Sequence, residues 1–105
     1  MPTITTDATR QTVLTTFEVT PGTCEDVLDA LKAAYAEVIS KQPGFIAAAL
    51  HVNDAQTRIA NYSQWEKRED FQAMLRTPEM RKRNRAIHAE VKSFEPVMMD
   101  VAAVF

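Results

Sequence analysis

The run Thr57-Arg-Ile-Ala-Asn-Tyr-Ser-Gln-Trp65 reads as a β-strand with two unlike faces. Side chains on a strand alternate with a period of two, so Ile59, Asn61, Ser63 and Trp65 share one face, while Arg58, Ala60, Tyr62 and Gln64 share the other. An amide and an indole N–H on an inward face must each find a partner, or else border a cavity that a polar ligand can enter. Just upstream, Phe45 to Val52 is an apolar run too short for a typical helix, and Asn53-Asp54 supplies turn chemistry, so the two segments form a hairpin. Downstream of Trp65 the apolar period becomes helical, with Phe71, Met74 and Leu75 on one stripe. Thr77-Pro78-Glu79 then restarts a helix, with Pro78 pre-set for its first turn and an inward stripe of Met80, Asn84, Ile87 and Val91.

The outer segments complete the pattern. Gln11 to Thr20 alternates as a first strand, with Val13, Thr15, Phe17 and Val19 on one face, until Pro21-Gly22 ends it. Thr23 is the expected N-cap of a helix in which Val27, Leu28, Leu31, Tyr35, Val38 and Ile39 recur at helical spacing. That helix should stop near Lys41, ahead of Pro43-Gly44. A last strand spans Phe94 to Phe105. The order βαββαβ, with a helix pair in the second helical position, fits an α+β, ferredoxin-like split βαβ domain whose helices cover one face of an antiparallel sheet.

Apart from Asp100 the last strand is apolar on both sides, so the second sheet face needs a cover. Face-to-face pairing of two sheets in a homodimer, the arrangement of a dimeric α/β barrel, supplies one. Residues 11–105 make one domain, and residues 1–10, rich in threonine, read as a loose arm.

The 105 residues carry a net charge of −2, which gives no reason to expect a nucleic-acid partner or an anionic membrane. The single cysteine, Cys24, cannot form an intramolecular disulfide, and no apolar run approaches the ~20 residues of a membrane helix, so a soluble, cytoplasmic protein is expected. His51 and His88 lie in different elements with no Cys or carboxylate at ligand spacing, so no metal site is read. The only glycines, Gly22 and Gly44, make no phosphate loop. An enzyme built on this chain would therefore work without a cofactor or with one held by shape.

The candidate chemistry is Asn61 with Trp65, two N–H donors on one face; from periodicity alone the pair also reads as a core tryptophan beside an amide that pins a loop. Arg81, Lys82, Arg83 and Arg85 spread around a solvated helix face, with Arg85 nearest the inward stripe. His51 is a candidate proton acceptor at a pocket rim, or else a surface histidine. Ala47, Ala48 and Ala49 leave volume that large neighbours fill, or that becomes an apolar pocket beside Trp65 and Phe71.

Pro43-Gly44-Phe45, the hairpin to Asn61-Tyr62-Ser63-Gln64-Trp65, and the following Glu66-Lys67-Arg68-Glu69-Asp70-Phe71 together resemble the antibiotic biosynthesis monooxygenase family of dimeric α/β barrels. The likeness runs from Val13 to Phe105. It implies a homodimer that oxidises an electron-rich phenol, anthrone or quinol to a quinone with dioxygen and no cofactor. Under it Asn61 and Trp65 are the catalytic pair; Thr15 and Phe71, together with the His51 and Arg85 read above, are the expected substrate-binding residues. Related oxygenases often carry an asparagine where this chain has Thr15, and some have a tyrosine where it has Phe71. The haem-degrading branch has a histidine where Leu75 stands, so haem degradation is not expected. The alternative is a non-catalytic dimeric module binding a small apolar ligand in the same cavity.

Overall fold

In the computed structural model, which describes Ile4 and residues 10–105, the elements follow the expected order. They are β1 (Gln11–Glu18), α1 (Pro21–Glu37), a 3-10 turn (Ile39–Lys41), β2 (Phe45–Val52), β3 (Arg58–Trp65), α2 (Arg68–Arg76), α3 (Pro78–His88) and β4 (Ser93–Met99). The four strands form one antiparallel sheet in the order β2-β3-β1-β4, the ferredoxin-like α+β arrangement. Most of the expected N-terminal arm lies outside the described residues.

Three boundaries differ from the sequence reading. The cap of α1 is Thr20, three residues earlier than expected. Its backbone N–H donates to Thr23 Oγ1 at 3.2 Å, so Thr23 closes a capping box from inside the first turn. The helix ends at Glu37, and the 3-10 turn that follows buries Ile39. Pro43 forces Gln42 into an extended conformation (φ −80°, ψ 147°), which closes that route to further helix.

The third difference is β4, which stops at Met99 instead of running to Phe105. Its last register pair is Thr12 with Met99, one residue short of the start of β1 at Gln11. Residues 100–105 therefore form no strand, and Val104 and Phe105 are exposed.

Gly44 is the one glycine whose conformation the fold requires. It sits at φ +83°, where a Cβ would run into the Asp70 side chain, and its carbonyl accepts the Glu66 N–H at 2.7 Å. The entry to β2 is thereby tied to the exit of β3.

Register decides where the core sits. On the helix-covered face, Val13 lies between Ser63 and Met98, Thr15 between Asn61 and Pro96, and Phe17 between Ile59 and Phe94. Trp65, Val13, Phe71, Met74 and Met80 belong to one apolar cluster; Phe17, Val27, Leu31, Ile59 and Ile87 belong to another. The middle row of Thr15, Asn61 and Pro96 separates them. The opposite face, with Leu14, Tyr62, Val97, Ala49 and His51 in register, has no helix over it.

Candidate active site

Large apolar side chains fill the space between sheet and helices at both ends of the covered face, but Thr15, Asn61 and Pro96 are too short and too polar to do so in the middle. A cavity of about 410 Å³ remains there. Its floor is that middle row together with Ser63, Phe17 and Phe94. Its walls come from Tyr35 of α1, Phe71 and Met74 of α2, and Asn84, Arg85 and His88 of α3. A hollow of a few hundred Å³, mostly apolar with a few converging polar groups, has the size and character of a small-molecule site.

Two hydrogen bonds order the polar groups. Trp65 Nε1–H donates to Ser63 Oγ at 3.2 Å, and the Tyr35 hydroxyl donates to Asn61 Oδ1 at 2.6 Å. Ser63 and Tyr35 both border the cavity. An indole N–H can only donate, so Ser63 accepts from it. The phenolic proton is committed to Asn61. With its Oδ1 held by Tyr35, Asn61 has its Nδ2 hydrogens left for the cavity that it borders. Burial pushes the Tyr35 phenol above its ordinary pKa, against the opposing effect of its bond to Asn61 and of the neighbouring Ser63 hydroxyl, so it stays protonated and remains a donor.

Thr15, Asn61, Phe71 and Arg85 all border this cavity, as the sequence reading expected of a shared pocket. Trp65 has a different place from the one expected. It is fully buried, edge-on to Phe45 at 5.4 Å and to Phe71 at 5.8 Å, and its only N–H is spent on Ser63. It supports the site from behind and does not line it. His51 pairs with Ala60, so the strand period turns it to the helix-free face, away from the cavity. The alanine row likewise misses the main hollow; Ala47 and Ala48 border a separate open groove between α1 and the edge strand β2.

Tyr35, Asn84 and His88 were not singled out as site residues. Tyr35 and Asn84 fall on apolar helical stripes and read as core, and only the cavity distinguishes them. His88 stacks flat on Phe94, with ring centroids 3.7 Å apart and planes 10° from parallel. Among the described residues, no cluster of three or more His, Cys, Asp or Glu side chains could hold a metal ion.

The family model for antibiotic biosynthesis monooxygenases matches residues 10–86, which includes β1, α1, the hairpin, α2 and all but the last two residues of α3. This chain belongs to the antibiotic biosynthesis monooxygenase family. Tetracenomycin-F1 monooxygenase of Streptomyces glaucescens is 30% identical to it over 69 residues, a stretch covering 66% of this chain and 62% of that protein. Two solved structures share the fold at lower identity. The ActVA-Orf6 monooxygenase of Streptomyces coelicolor, solved with nanaomycin D, superposes with a TM-score of 0.80 at 22% identity over 90% of this chain and 89% of that one. SnoaB of Streptomyces nogalater, a cofactor-independent oxygenase, gives 0.74 at 22% identity over 92% of this chain and 97% of that one. The antibiotic biosynthesis monooxygenase fold thus extends through β4, beyond the segment matched by the family model.

Proposed function

We propose that the protein is a cofactor-independent monooxygenase that oxidises an electron-rich phenol, anthrone or quinol to a quinone with dioxygen. The observation that carries this reading is the Asn61 amide, which borders a mostly apolar cavity with its Oδ1 held by the Tyr35 hydroxyl. Cofactorless oxygenation needs a substrate anion that can pass an electron to dioxygen, and a donor placed where oxyanion charge develops. Asn61 is that donor. The Thr15 hydroxyl lies beside it in register, Phe71 walls the flat substrate, and Arg85 orients a polar substituent. Trp65 contributes through Ser63. The activities of the Streptomyces relatives support the same chemistry.

The test is oxygen uptake by the purified protein with 1,8-dihydroxyanthrone and a series of naphthoquinols. The expected result is one dioxygen consumed for each quinone formed, at a rate well above the uncatalysed background. Quenching of Trp65 fluorescence without product under air would instead identify a non-catalytic binding module, the reading that Thr15 and Phe71 favour by withholding an amide and a phenol.

Tyr35→Phe keeps the ring and removes only the hydroxyl that holds Asn61. A single hydrogen bond is worth about 1–1.5 kcal/mol, so kcat should fall roughly tenfold with KM little changed. Unaltered kcat would show that the amide needs no such support.

The homodimer remains part of this proposal. No helix covers the face bearing Leu14, Tyr62 and Val97, and Met99 at its edge is 40% exposed. A second copy would bury it; a stable interface of standard size covers about 800 Å² on each partner. Sedimentation velocity should give twice the 11.8 kDa chain mass at micromolar concentration, and a monomer there would count against the pairing.

A further inference from the structure

We propose that His88 is the general base that takes the first proton from the substrate. The inference rests on the oxygenase reading of the same cavity and adds the group that reading leaves unassigned. His88 lies at the end of α3, borders the cavity and is held flat against Phe94. Neither ring nitrogen has a hydrogen-bond partner among the described residues, so one is free to meet a ligand.

Position supports the role. Asn61 on β3 and Phe94 on β4 flank β1, and they sit in adjacent rows of the covered face. Two strand spacings and a two-residue offset put their backbones roughly 12 Å apart, so the donor and the imidazole stand at opposite ends of the floor. An anthrone carries its acidic carbon and its carbonyl oxygen on opposite edges of the central ring. A base at one end and a hydrogen-bond donor at the other match that layout.

Charge supports it too. The titratable groups facing His88 across the cavity are Arg81 and Arg85 on its own helix and Tyr35 on α1; the cavity-facing residues of β1, β3, β4 and α2 carry none. No carboxylate is there to hold an imidazolium before substrate arrives. Burial also lowers the His88 pKa from its ordinary value, which keeps the ring neutral near pH 7.

The steps balance as follows. The imidazole takes a proton from the anthrone C–H, leaving a carbanion whose charge is delocalised onto the carbonyl oxygen beside Asn61. One electron passes to dioxygen, and the resulting radical pair joins in a C–O bond. The imidazolium returns its proton to the peroxide anion. Loss of the second C–H proton with cleavage of the O–O bond releases water and leaves the new carbonyl. One anthrone and one dioxygen thus give one quinone and one water.

The experiment separates proton removal from oxygenation. Under argon in D2O, 1,8-dihydroxyanthrone is incubated with the protein, and loss of the C10 hydrogen signal is followed by proton NMR. Wild type should speed exchange well above buffer, and His88→Gln should lose roughly a hundredfold or more of that acceleration, with added imidazole restoring part of it. In air, kcat/KM should rise with pH along a limb below pH 6.5 in wild type, and His88→Gln should lack that limb. Exchange without oxidation in air would retain His88 as the base and sink the oxygenase reading. Oxidation that proceeds equally well in His88→Gln, or exchange that the substitution leaves unchanged, would overturn the base. If His88→Gln fails to fold, absence of accelerated exchange by wild type overturns it equally.

Discussion

Asn61→Ala should lower kcat for quinone formation by roughly 100- to 1000-fold, the usual cost of deleting one preorganised donor to a developing oxyanion. The effect should fall mainly on kcat, because the amide meets its full charge only after the substrate has lost a proton. Asn61→Asp is the sharper comparison. A carboxylate there can still accept the 2.6 Å bond from Tyr35, so the local architecture survives. Its outward oxygen, however, replaces two N–H donors with negative charge. If the role of Asn61 is donation, Asp should be at least as poor as Ala in steady-state oxygen uptake. If Asn61 only shapes the cavity, Asp should stay close to wild type, and the proposed chemistry would lose its main support.

Much of this fold could be read from local signals, because local physics decides them. Pro21-Gly22 and Pro43-Gly44 punctuate the first half, and Asn53-Asp54 marks the hairpin, where Asn53 Oδ1 accepts the Thr57 and Arg58 N–H groups at 2.9 Å each. The period of two placed Ile59, Asn61, Ser63 and Trp65 on one face, and the structure has them there, turned toward the helices. Strand ends were less legible, since a strand continues only while a neighbour offers pairing. Val101 to Phe105 alternate well enough, but they lie past the last register pair, Thr12 with Met99.

The site was only partly visible for a related reason. A sequence shows which residues face inward but not which inward positions stay unfilled. Tyr35 falls on the same helical stripe as Leu31 and Val38, and nothing local reveals that its hydroxyl meets an amide 26 positions away. The two histidines show the same limit. His51 is turned away by its pairing with Ala60, and His88 is brought to the cavity only by the packing of α3 over Phe94. Trp65 and Asn61 share a face, but the indole sits one row beyond Ser63, so the serine comes between it and the cavity.

That intervening serine makes Trp65 a test of structure against chemistry. Trp65→Ala should cost about 3–5 kcal/mol, because the indole is fully buried and holds Phe45 and Phe71 apart in edge-to-face contact, leaving a large void when it goes. In a domain with roughly 5–15 kcal/mol to lose, that should lower Tm by on the order of 15 °C, as read by circular dichroism. Trp65→Phe keeps an aromatic ring in the slot and removes the N–H, so it should lose distinctly less stability. Its kcat should drop by less than that of Asn61→Ala, since the indole stands behind Ser63 and the Tyr35 bond to Asn61 is left in place. A Phe variant as slow as Asn61→Ala, with its fold intact, would mean the indole reaches the substrate directly, and would contradict its place behind Ser63.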